Sequence, residues 1–273
     1  MNKILVNVAI LLLLCNAVYA QKDGYRKLRP DEIAYINALH AAMYKATPHT
    51  YKNWTIVGDQ EQFDARRFWC GDMVDGQDCI GDCPIILGKA DPYTFSFNAD
   101  YTMPDNESGN LAATSMTMIK DFSNASQLAA AQKFTASSKM RINIVINSPN
   151  IEFGFSYCAK NPLETLTLPV PSTLAVIGPR TIDCPIMEDG RPSMHADYYD
   201  RALIVLGKPA TKKAPEKTSD GLTTVRYVPT FDKAKIGKLV TQNITVEIKG
   251  DANDIRALVQ LIDWKKLADL LEK

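Results

Sequence analysis

A chain of 273 residues carrying 31 basic and 31 acidic side chains has no net charge. It lacks the global cation excess with which nucleic-acid-binding proteins neutralise phosphates. Its hydrophobic fraction of 46% is that of a globular protein, and a chain of this length buries roughly 70–75% of its unfolded surface, so folding does not depend on disulfides.

Met1-Asn2-Lys3 is a short positive start, and Ile4 to Leu14 is aliphatic apart from Asn7. Val18-Tyr19-Ala20 then puts small or medium side chains before Gln21. This pattern predicts a secretory leader over 1–20, cleaved before Gln21. Residues 21–273 are then one α+β domain, and any division into two lobes falls near 160–172. Cys15 follows Leu14 rather than a small residue, which disfavours lipidation. The apolar run is shorter than the roughly twenty residues of a spanning helix, and no later run is apolar enough. A soluble protein, secreted or periplasmic, is expected.

Pro30-Asp31-Glu32 opens a helix, with proline in the first turn and acids at its positive end. Ile33, Ile36, Leu39, His40 and Met43 form its buried stripe, and it should stop near Ala46, before Pro48. Trp54 to Val57 reads as a short strand. From Cys70 to Pro92 the pattern gives way to Gly, Asp and Cys. Tyr93, Phe95, Phe97 and Tyr101 then share one face of a strand, with Thr94, Ser96 and Asn98 on the other. Residues 102–110 read as loop, and Leu128 to Phe134 as a helix capped by Ser123 or Asn124.

Ile142, Ile144 and Ile146 alternate with polar residues before a 147–150 turn. Ile151, Phe153 and Phe155 alternate after it, which predicts a β-hairpin. Leu166, Leu168 and Val170 alternate around Pro169, so they suit only an edge or irregular strand. Ala202–Leu206 and Thr223–Val228 read as strands. Lys208 to Gly221 between them reads as a solvated loop, or as a basic ligand-binding loop whose charge Glu216 and Asp220 dilute. Strand Ile244–Ile248 precedes one long helix from about Asn253 to Leu271. These elements predict an α+β fold: an antiparallel-rich mixed sheet with N-terminal and C-terminal amphipathic helices packed on it.

Two segments carry the candidate site residues. The loop from Cys70 to Cys83 holds Asp72, Asp75, Asp78 and Asp82. Several carboxylates suit calcium, but these are spaced three or four apart rather than at alternate positions. A disulfide-stapled surface loop is the simpler expectation. Zinc on Cys70, Cys79 and Cys83 would lack close Cys-x-x-Cys pairs and would have to survive an oxidising compartment. The second segment, 188–200, holds His195 and Asp197, a possible metal pair or an oriented general base. A polar surface turn is the plainer reading. The aromatic row Tyr93, Phe95, Phe97, Tyr101, and likewise Phe153 and Phe155, fits sheet packing or the wall of an apolar cavity. Asn53, Asn106, Asn124 and Asn243 begin Asn-x-Ser/Thr triplets, which accept glycans only in a eukaryotic host.

No phosphate loop, zinc-protease helix, haem-attachment motif or dinucleotide fingerprint occurs. The expectation is a binding or accessory module, holding a small apolar ligand or a protein partner and needing no cofactor. The alternative is an exported hydrolase, metal-dependent or not, using the 70–83 loop or the His195 region. Export also fixes the redox setting of Cys70, Cys79, Cys83, Cys158 and Cys184, where disulfides are the default. Thiol counting on the unreduced, denatured mature protein should therefore find fewer than five free thiols. A count of five would overturn the stapled-loop expectation.

Overall fold

The computed structural model describes residues 25–26, 29–57, 63, 85–86, 93–147, 153–157, 163–178, 187–188, 191–192, 199–217 and 223–271. Pro30-Asp31-Glu32 does open the first helix, α1 (Pro30–Ala46). Glu32 is fully buried, and a charge removed from water needs partners. Its carboxylate accepts the Arg29 backbone N–H at 2.6 Å and the Tyr93 hydroxyl, and lies 3.2 Å from the Arg29 guanidinium. The start of α1 is thereby tied to the entry of the main sheet.

That sheet has eight strands in the order β2 (Thr50–Tyr51), β3 (Trp54–Val57), β5 (Phe95–Thr102), β6 (Lys139–Ile146), β16 (Asn243–Gly250), β12 (Asp200–Gly207), β9 (Leu174–Gly178) and β8 (Glu164–Thr165). Every ladder in it is antiparallel. A second, smaller sheet is built on β15 (Thr223–Pro229). β7 (Phe153–Tyr157) lies along one edge of β15, and β13 (Ala210–Lys212) and β14 (Glu216–Lys217) along the other. Two short pairs complete the strands: β1 (Tyr25–Arg26) with β4 (Ile85–Ile86), and β10 (Met187–Glu188) with β11 (Arg191–Pro192).

Side chains alternate across a strand, so in-register pairing sorts this sheet into two unlike faces. On the first lie Phe95, Phe97, Ala99 and Tyr101 of β5, Ile142, Ile144 and Ile146 of β6, and Ile244, Val246 and Ile248 of β16. Ile36, Leu39 and Met43 of α1 seal this face, with Ile255, Leu258 and Val259 of α4 (Ala252–Leu261) and Trp264 and Leu267 of α5 (Trp264–Ala268). Burial of each large side chain contributes roughly 1.5–3 kcal/mol. On the second face, the small sheet packs Val225 and Tyr227 against Leu203, with Leu174 and Val176 alongside.

The expected α+β class and both terminal helices on an antiparallel sheet are present. Four local expectations are corrected. The hairpin over 142–155 does not form, because both edges of β6 are already paired, with β5 and with β16, and β7 joins the other sheet instead. The single helix from Asn253 breaks after Leu261. Asp263 there caps a new helix by accepting the Lys266 N–H at 3.0 Å, and its own N–H donates to the Ala46 carbonyl at 2.9 Å. Residues 105–117, read in part as loop, form α2 (Asp105–Thr117), with Asp105 and Glu107 in its first turn. Ser115 is its one buried residue, so it shows no apolar stripe to read. The Lys208–Gly221 loop includes β13 and β14, paired to β15. The helix read at 128–134 is α3 (Ala125–Ala136), and Asn124 does cap it, accepting the Ser126 and Gln127 N–H groups at 3.1 Å.

Asn147 closes one end of the three central strands. It is fully buried and has φ of 50°, a left-handed conformation that asparagine tolerates better than most residues. Its amide donates to the Tyr93 and Val240 carbonyls at 3.1 and 2.6 Å. Its side-chain oxygen accepts the Gln242 and Asn243 N–H groups at 2.7 and 3.3 Å, and its carbonyl accepts the Thr94 hydroxyl at 2.7 Å. Replacing it with alanine strands buried backbone groups, at about 1–3 kcal/mol for each one left unsatisfied, and strains the left-handed site. Asn147→Ala should lower unfolding free energy by about 3 kcal/mol in urea titrations. Asn147→Gly, which relieves only the backbone, should recover no more than about 1 kcal/mol of that loss. A loss below about 1 kcal/mol for Asn147→Ala would contradict the assigned role.

Candidate functional site

The described side chains of the helix-covered face are packed into the core. Tyr93, Phe95, Phe97 and Tyr101 are each 6% exposed or less, so the aromatic row is core. His40 belongs to it, stacked on Phe63 with ring centroids 4.2 Å apart and edge-on to Phe97. Burial holds its pKa below the ordinary histidine value and favours the neutral ring.

A cavity in the described residues lies on the other face of the main sheet. It has a volume of about 390 Å³ and is lined by Val57, Asp100, Tyr101, Thr102, Lys139, Met140, Arg141, Tyr199 and Lys249. That volume falls in the range of small-molecule sites, roughly 300–1,000 Å³. Strand register explains which residues meet there. Val57 opposes Asp100, Asp100 opposes Arg141, Arg141 opposes Lys249, and Lys249 opposes Arg201. One step along, Thr102 opposes Lys139. Opposed residues share a face, so four strands together present one polar row.

Adjacent strands lie about 4.8 Å apart, and like charges directly opposite one another are destabilising. Arg141, Lys249 and Arg201 nevertheless stand side by side. Asp100 meets Arg141 through two contacts of 2.5 and 3.2 Å. Both side chains are about half exposed, so the pair orients Arg141 more than it neutralises it. Glu247 stands 3.6 Å from Arg201 and 3.9 Å from Lys249, a looser arrangement. Lys139 has no carboxylate partner among the described residues. Strand pairing thus puts four cations on one face, with Asp100 and Glu247 among them. Val57, an exposed apolar side chain, and Tyr199 border the row.

Asn143 and Thr245 lie on this same face, on the second and third strands of the row. Asn143 Oδ1 and Thr245 Oγ1 are buried without a hydrogen-bond partner. Buried polar atoms are normally paired, so this half of the sheet is polar in depth as well as at its surface.

Of the residues singled out from sequence, Asp72, Asp75, Asp78, Asp82, His195, Asp197, Cys70, Cys79, Cys83, Cys158 and Cys184 lie outside the described residues. Among the described residues, no group of three His, Cys, Asp or Glu side chains could hold a metal. Asn243 is fully buried in β16, so its triplet cannot carry a glycan in the folded protein. Asn53, Asn106 and Asn124 are exposed. No described helix is long and apolar enough to cross a membrane.

Arg141, Lys139 and Lys249 were legible only as the polar half of alternating strands. Nothing in the linear sequence aligns them, because their meeting depends on the pairing of strands more than a hundred residues apart. Comparison with protein-family models, curated proteins and solved structures found no match to this chain.

Proposed function

We propose that this protein is a binding module, exported by its leader, whose ligand is a small organic anion seated in the second-face cleft. The observation that supports the reading is the row Arg141–Lys249–Arg201 with Lys139 beside it, four cations brought onto one face by strand pairing. An anion placed there would relieve the mutual repulsion of Arg141 and Lys249 and take up the charge that Lys139 leaves unmatched. Val57 and Tyr199 at the edge of the cleft give the same ligand apolar contact. The ligand is therefore amphipathic, an apolar body with a carboxylate, sulfonate or phosphate group, rather than the wholly apolar molecule expected from aromatic strands. Thr102 and Tyr199 add hydroxyl groups that can hydrogen-bond it.

The probe pair 8-anilinonaphthalene-1-sulfonate and N-phenyl-1-naphthylamine tests this, since the two differ essentially by the sulfonate. Interactions with a charged group contribute about 1.5–3 kcal/mol each, and 1.4 kcal/mol is tenfold in affinity. The double variant Lys139→Ala/Lys249→Ala should bind the sulfonate at least tenfold more weakly and the neutral probe within about threefold of the parent. Equal affinity of parent and variant for the sulfonate would contradict the reading.

A further inference from the structure

The chain is neutral overall but not evenly so. Residues 208–240 contain eight cations, Lys208, Lys212, Lys213, Lys217, Arg226, Lys233, Lys235 and Lys238. They face three acids, Glu216, Asp220 and Asp232, so this stretch carries +5 and the remainder of the chain −5. The structure gathers much of the stretch onto one end of the molecule. Lys208 follows β12 and donates its N–H to the Gln242 carbonyl at 2.9 Å, while the Gln242 side chain accepts the Asp232 N–H at 2.6 Å. Thr230 bonds the Pro209 carbonyl through both its N–H, at 3.1 Å, and its hydroxyl, at 2.6 Å. Lys208 and the 3₁₀ turn Lys233–Lys235 are thus held on either side of Gln242.

The positions are fixed by backbone, not by ion pairing. Gly207, at φ of 83°, makes the turn into Lys208, and any Cβ there would strike the Gln242 carbonyl oxygen. Asp232, the acid closest in sequence, turns its carboxylate to the Ala234 N–H at 3.0 Å, capping the 3₁₀ turn. Lys208, Lys212, Lys213, Lys233 and Lys238 are exposed and have no carboxylate partner among the described residues. Such self-repulsion weakens a folded state.

We propose that this lysine-rich end is a docking surface for the anionic headgroups of a lipid bilayer. Lysine outnumbers arginine seven to one in the stretch. A hydrated point charge suits the smeared field of a headgroup plane better than bidentate capture of one phosphate. The charges stand on turns and strand edges, whereas the cavity lies at the opposite ends of the same strands, about 25 Å away at 3.3 Å per residue. Phe231 and Ile236, half-buried in the same turns, supply apolar contact at the interface. Tyr227, the tyrosine of this stretch, is buried and offers no face for stacking bases or sugars.

Each lysine near an anionic surface contributes about fivefold to partitioning, and salt screens it. The mature chain should co-sediment with phosphatidylcholine vesicles containing one-third phosphatidylglycerol in low salt. It should not do so with pure phosphatidylcholine, nor with either in high salt. Lys208→Gln/Lys233→Gln/Lys235→Gln/Lys238→Gln should lose at least about a hundredfold in partitioning, with circular dichroism unchanged, and Lys139→Ala/Lys249→Ala should bind vesicles like the parent. Binding that ignores salt, ignores lipid charge or survives the fourfold variant would overturn the proposal. So would binding to a soluble polyanion such as heparin without binding to vesicles, which would assign the surface to a polymeric anion. The proposal is independent of the cleft: loss of either set of lysines leaves the other testable.

Discussion

The three central strands of this protein are held in register by one buried side chain. Asn147 ends β6, and its amide group bonds the backbone ahead of β5 and around the start of β16. A register shift of one residue would move every side chain of a strand to the other face. Ile142, Ile144 and Ile146 would then face the cleft, and Arg141 would face Leu258 and Trp264. The sealed core and the charged cleft are two products of the same alignment, so neither exists without it.

The same alignment explains how a neutral chain carries unlike surfaces. Alternation concentrates apolar residues on one side of β5, β6 and β16, and the other side is mostly polar or charged. Where the second sheet covers that face, on β12 and β9, the residues become apolar again at Leu203, Leu174 and Val176. At the far strand ends, Gly207 and the Gln242 bonds hold a second set of cations well away from the first. Net charge, an average over the chain, describes neither surface.

Elements with strong local signals were legible in the sequence. Trp54–Val57 and α1 fall where proline, acids and apolar spacing put them, and the polar half of β5 was read correctly from Ser96 and Asn98. Elements decided by distant partners were not. The hairpin expectation weighed a local turn against nothing, whereas β6 in the fold has two better neighbours from elsewhere in the chain. α2 was missed because only Ser115 is buried, and the break at Asp263 because the apolar stripe continues across it. The Lys208 segment looked solvated because its composition is polar, yet its backbone pairs with β15. The cleft was invisible for the same reason as the hairpin error: Asp100, Arg141, Lys249 and Arg201 become neighbours only through four paired strands.

On the proposed reading, ligands bind at the charged face and not at the aromatic one. Amide NMR of a labelled chain spanning residues 21–273, titrated with 8-anilinonaphthalene-1-sulfonate, reads this position by position. Resonances of Val57, Thr102, Lys139, Arg141, Tyr199 and Lys249 should move together and saturate, while those of Ile36, Phe97, Leu258 and Trp264 stay in place. Saturable shifts confined to the helix-covered core, or to Lys208 and the Lys233–Lys238 turns, would contradict it.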